Sequence, residues 1–105
     1  MKAMSTQILL GKILKRFKDL RIAQVRGYTT FEYLKETPAA VYVLRQKGTK
    51  ARVPFKKMTL GIDAFKAEPS LYDEGPTALR KYGITHVTSP VWTLLHLLEK
   101  GEYLK

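Results

Sequence analysis

Apolar residues recur every three to four positions over residues 5–20. Leu9, Leu10, Ile13, Leu14, Phe17 and Leu20 share one face, and Lys12, Lys15, Arg16, Lys18 and Asp19 share the other. That spacing predicts an amphipathic helix with Ser5 or Thr6 as its cap. Residues 21–34 are rich in β-branched and aromatic side chains and are interrupted at Gly27, which predicts one or two short extended segments. The run Lys35-Glu36-Thr37-Pro38 reads as a turn, because Pro38 pushes Thr37 out of helical conformation. Residues 39–46 and 51–55 read as strands, joined by Lys47-Gly48-Thr49-Lys50, a link of hairpin length. Pro54 cannot donate to a ladder, so the second strand is an edge or ends there.

Residues 57–67 place Met58, Ile62 and Phe65 on one helical face, although Gly61 weakens that helix by about 1 kcal/mol relative to alanine. A loop over 68–75 carries Glu68, Asp73 and Glu74. Residues 77–100 then read as two helices around a tight turn. Pro76 opens the first and Gly83 ends it. Thr88 or Ser89 caps the second, with Pro90 just inside. Val91, Leu94, Leu95 and Leu98 form its apolar stripe, and Gly101 follows as a stop. Trp92, at the start of that helix, reads as a partly buried anchor. The fold expected is α+β, in one domain spanning 1–105: an N-terminal amphipathic helix, a small antiparallel sheet with a basic hairpin, and a C-terminal helix pair. Its core would gather Leu10, Ile13, Leu14, Phe17, Val41, Val43, Ile62, Phe65, Leu79, Val91, Leu94, Leu95 and Leu98.

Composition narrows the class. The chain has 105 residues, 45% of them hydrophobic and 27% charged, which is the balance of a folded domain. Absence of cysteine removes disulfides, thiolate metal sites and cysteine nucleophiles, and fits a reducing, cytoplasmic setting. No apolar run approaches the roughly 18 residues of a membrane span, so no stable membrane insertion is expected. Lys2 and the mixed polar stretch after it do not read as a signal peptide.

Charge changes the picture most. The formal net charge is +10, and residues 1–57 hold 14 Lys and Arg against only Asp19, Glu32 and Glu36, a balance of +11. Residues 58–105 hold five basic and six acidic residues, a balance of −1. A surface of that kind attracts polyanions. The candidates for phosphate contact are Lys12, Lys15 and Arg16 on the first helix, with Arg45, Lys47, Lys50, Arg52, Lys56 and Lys57 on and after the hairpin. Two blander readings compete. A basic helix face is often simply solvated, and lysines on a border strand discourage pairing with another chain.

The short helix, glycine turn and capped longer helix of residues 77–100 resemble the helix-turn-helix unit of small DNA-binding domains. The hairpin with six basic residues resembles the β-wing of winged-helix domains. The resemblance implies DNA binding, with Thr88, Ser89, Thr93 and His96 as the side chains that reach base edges. Catalysis is not expected. His86 and His96 lie ten residues apart without HExxH spacing, and no phosphate loop, dinucleotide fingerprint or nucleophile elbow occurs. No metal site and no cofactor are expected.

The sequence therefore predicts a non-catalytic nucleic-acid-binding protein, serving regulation or DNA processing, with DNA favoured over RNA and a homodimer allowed. A protein-interaction module whose basic face meets an acidic protein is the alternative. An enzyme with an unrecognised site comes third.

Overall fold

A computed structural model describes residues 5–104, so the expectation about a leader at the first residues falls outside them. Helix α1 spans Thr6–Leu20, and its cap is Ser5, whose Oγ accepts from the Ile8 N–H at 3.2 Å. It ends where Arg21 turns left-handed (φ 69°) and donates its N–H to the Phe17 carbonyl. Leu9, Leu10, Ile13 and Phe17 are buried, as the stripe requires, and Leu20 is exposed at the last position.

Four antiparallel strands follow in the spatial order of the chain: β1 Ile22–Ala23, β2 Phe31–Glu36, β3 Ala40–Arg45 and β4 Lys50–Pro54. Strand β2 runs past the expected turn. Lys35 and Glu36 pair with Tyr42 and Val41, after an irregularity between Tyr33 and Lys35. The turn tightens onto residues 37–39, because the Thr37 hydroxyl oxygen accepts from the N–H of Ala39 (3.3 Å) and of Ala40 (3.1 Å). The hairpin turn also lies one residue earlier than the spacing suggested. Arg45 N–H bonds the Thr49 carbonyl at 2.7 Å and Gly48 adopts φ 88°, so the link is 46–49 and Lys50 is already in the strand. Alternation sends Phe31, Tyr33, Val41, Val43, Ala51 and Val53 inward, where Phe17 meets Tyr33 edge-on at 5.3 Å.

Helix α2 (Phe55–Ala67) starts directly after Pro54 and buries Met58, Ile62 and Phe65 as expected. Gly61 has a reason beyond propensity. A Cβ there would sit 2.7 Å from Leu95 Cδ1 and 3.3 Å from Val91 Cγ1, so its absence lets α2 lie close to helix α3 (Thr88–Leu95). The C-terminal half is helix-rich, though differently partitioned from the expectation. Pro69–Asp73 and Pro76–Tyr82 are 3₁₀ turns, the latter closed by Gly83 at φ 88°. Helix α3 stops at Leu95 because the His96 ring sits on the Trp92 carbonyl (2.8 Å) and the His96 N–H turns to Thr93 instead. Gly101 is not the stop. It lies inside a fourth helix, α4 (Lys100–Tyr103), started by a reciprocal capping box between Glu99 and Glu102.

The core matches the predicted one at every position except Leu14, which is half-buried, and it adds Phe31, Met58, Leu71, Ile84, Trp92 and Tyr103. Phe65 is its hub, with ring centroids of Tyr72, Trp92, His96 and Tyr103 at 5.7, 5.6, 5.9 and 5.2 Å. Among the described residues, no helix is long and apolar enough to cross a membrane.

Candidate nucleic-acid interface

The predicted phosphate-contacting residues divide into two groups. On α1, Arg16 forks both guanidinium nitrogens onto Glu102 of α4 at 2.8 Å, and also donates to the Leu97 carbonyl at 2.9 Å. Lys12 adds a third bond to the same carboxylate at 2.9 Å. The hydrogen bonds from Arg16, reinforced by those from Lys12 and the Glu99 N–H, outweigh burial and pull the Glu102 carboxyl down to about 2. Lys12 and Arg16 therefore join α1 to α4, while their side chains stay 32% and 39% exposed. Lys15 pairs with Asp19 at 3.2 Å on the open surface.

The second group is not paired with carboxylates. Arg45, Lys47, Lys50, Arg52 and Lys56 are exposed and form no ion pair among the described residues; Lys57 reaches only the His86 carbonyl at 3.4 Å. Two of them open onto a cleft of about 790 Å³ between the hairpin and the C-terminal half. Arg45, Gln46, Lys47 and Thr49 form one wall, Pro76, Thr77 and Arg80 the second, and Thr85, Val87, Thr88, Ser89 and Pro90 the third, with Thr29 and Phe31 at the base. The lining thus holds three cations and six hydroxyls without a carboxylate. Arg80 also has no ion-pair partner among the described residues, whereas its neighbour Lys81 pairs with Glu68 at 3.4 Å.

The residues expected to reach base edges separate in the same way. Thr88 and Ser89 line the cleft, half-exposed, although Thr88 does not cap α3: its hydroxyl donates to the Ile84 carbonyl at 3.1 Å. Thr93 is 1% exposed and sits in the core, so its expected base contact is corrected. His96 is corrected too, since its ring nitrogens lie 2.8 Å from the Trp92 and Tyr72 carbonyls and neither is left for a ligand. All of Pro90, Val91, Trp92, Thr93, Leu94 and Leu95 are buried, which leaves only the first turn of α3, Thr88 and Ser89, open to a ligand.

Sequence reasoning missed Arg80, Thr77, Thr85 and Val87. Arg80 was hidden by the balanced charge of its half, and only tertiary packing sets it opposite Arg45. Val87 carries the one signal of local strain at the cleft: a β-branched residue at φ 51°, a conformation that costs on the order of 1 kcal/mol or more.

The acidic loop is committed elsewhere. Glu68 accepts from the Tyr82 hydroxyl, which with Lys81 holds its carboxyl below the usual range; Asp73 pairs with Lys100 at 2.6 Å, and Glu74 accepts from Ser70 at 3.3 Å. Among the described residues no three His, Asp or Glu side chains gather as a metal site would require. Comparison with family models, with curated proteins and with solved structures finds no match.

Proposed function

We propose that this chain is a non-catalytic nucleic-acid-binding protein, DNA being the first target to try. It would hold phosphates between the hairpin and the C-terminal wall. The observation that carries this reading is the cleft in which Arg45, Lys47 and Arg80 converge with six hydroxyls and no carboxylate. Unpaired cations contribute most to a polyanion's binding because no internal partner has to be displaced. Lys50, Arg52, Lys56 and Lys57 extend the same field along the hairpin and the first turn of α2. The Ser89 hydroxyl is a donor suited to phosphate oxygens rather than a specific reader of base edges, whereas that of Thr88 is spent on the Ile84 carbonyl.

The test is fluorescence anisotropy of labelled oligonucleotides at two salt concentrations. The expected result is log-linear weakening with salt, together with loss of affinity when Lys47, Lys50 and Arg52 are neutralised. No binding at low salt overturns the reading and leaves an acidic protein as the partner for this surface.

A further inference from the structure

The face of the sheet opposite the helices is left open, and its residues are not those of a merely solvated surface. Strand pairing sets them in two rows. Ile22, Glu32, Leu44 and Lys50 lie side by side, as do Lys35, Tyr42 and Arg52, with Leu34 displaced beside Tyr42 by the irregularity in β2. Ile22 and Leu34 are large apolar residues exposed to solvent, and Tyr42 and Leu44 are half-buried among them. Lys35 Nζ stands over the Tyr42 ring, 5.0 Å from its centroid. Leu34, Lys35, Tyr42 and Lys50 border a shallow hollow of about 310 Å³. Glu32 is the only carboxylate in the two rows, and Glu36 turns the other way to accept from the Tyr33 hydroxyl at 3.2 Å.

An aromatic ring flanked by cations on a flat, open sheet matches one partner in particular. In a duplex the base faces are stacked on each other, so such a surface would meet only phosphates. In a single strand the bases are free to stack on a ring while the backbone runs past the flanking cations. The burial of α3 from Pro90 to Leu95 points the same way, because it withdraws the helix expected to enter a major groove. The cleft and the hollow lie on either side of the hairpin end: Thr49 lines the cleft, and Lys50, next in the chain, lines the hollow.

We infer that this face is a stacking platform for single-stranded nucleic acid, on which Tyr42 takes a base and Lys35, Lys50 and Arg52 hold the adjacent phosphates. The inference rests on the nucleic-acid reading above and names its strandedness. On binding, Lys35 swings off the ring towards a phosphate, which its flexible stem allows.

Anisotropy titrations of the full chain with four labelled probes of equal length test it: a DNA single strand, an RNA single strand, a DNA duplex and an abasic DNA strand that keeps the phosphates. Both base-bearing single strands should bind about 5- to 100-fold more tightly than the abasic strand. Tyr42→Leu should bring them down to the abasic level, and Tyr42→Phe should retain the preference. Equal binding of all four probes, or a Tyr42→Leu variant that is folded by circular dichroism and undiminished, overturns the platform while the general nucleic-acid reading stands. No binding of any probe overturns both. If Tyr42→Leu does not fold, the abasic comparison on the unaltered chain decides alone.

Discussion

Helix α1 and the β3–β4 hairpin are both basic, yet their cations are used in opposite ways. Lys12 and Arg16 close on Glu102 at 2.9 and 2.8 Å, with that carboxylate largely shielded from solvent. Arg45, Lys47, Lys50 and Arg52 have no carboxylate partner among the described residues, and two of them line the same cleft as Arg80. The difference lies in what the C-terminus returns to. Glu102 comes back against α1, the capping box fixing it by a 2.7 Å bond from the Glu99 N–H, whereas no acidic residue of the C-terminal half lines the hairpin's cleft. Positive charge in a sequence therefore counts towards a binding field only after internal pairing is subtracted. In this fold the first helix serves architecture and the hairpin serves the surface.

The sharpest way to break that contrast is to replace Arg45, Lys47 and Arg80 together by glutamine. Nucleic-acid affinity at moderate salt should fall roughly a hundredfold, and the slope of log affinity against log salt should shrink by about 2–3, as expected for three lost phosphate contacts. Urea melts should move little, because these side chains support nothing inside the fold. A fall no larger than that of Lys12→Gln would make the two regions equivalent and remove the distinction.

Glu102→Gln tests the other side. It leaves Arg16 and Lys12 facing each other without their anion, and should lower stability in urea by about 2–3 kcal/mol, somewhat less than for a fully buried pair. Binding to nucleic acid should hold or tighten, since two cations are released. The same pair sets a pH dependence. Glu102 titrates at about 2 in the folded chain, below its ordinary 4.5, so its contribution is complete above pH 4.5 and is lost as pH falls towards 2. Lowering the pH from 6 to 3 should remove about 2 kcal/mol through this group, a component that Glu102→Gln abolishes.

Smaller effects sharpen the boundary between surface and core. Lys15→Gln breaks only an exposed pair with Asp19, and should change stability by less than about 0.5 kcal/mol and affinity by less than about threefold. Thr93→Val removes a buried hydroxyl that has no hydrogen-bond partner. Stability should stay level or rise by up to about 1 kcal/mol, measured by thermal and urea unfolding, with binding unchanged. A marked loss of affinity in that variant would place Thr93 back at the interface.

The sequence by itself determined α1, the β3–β4 hairpin, α2 and most of the core. The stripe of Leu10, Ile13 and Phe17, the alternation of Val41 and Val43, and the spacing of Val91, Leu94, Leu95 and Leu98 each follow from a local period that burial then obeys. The α+β class and the basic hairpin were legible for the same reason. Helix ends were read less well, because they depend on side chains meeting backbone groups beyond the periodic pattern: Thr88 turning to the Ile84 carbonyl, the His96 ring taking that of Trp92, Glu102 starting a helix over Gly101. The candidate site was half legible. Its cations could be counted from the chain, but which were free could not, since Glu102 lies 86 positions from Arg16. Only the tertiary structure decided that Lys12 and Arg16 pair with Glu102, that Arg80 shares a cleft with Arg45 and Lys47, and that α3 is buried from Pro90 to Leu95. Periodicity is a property of neighbours in sequence, whereas pairing and exposure belong to neighbours in space.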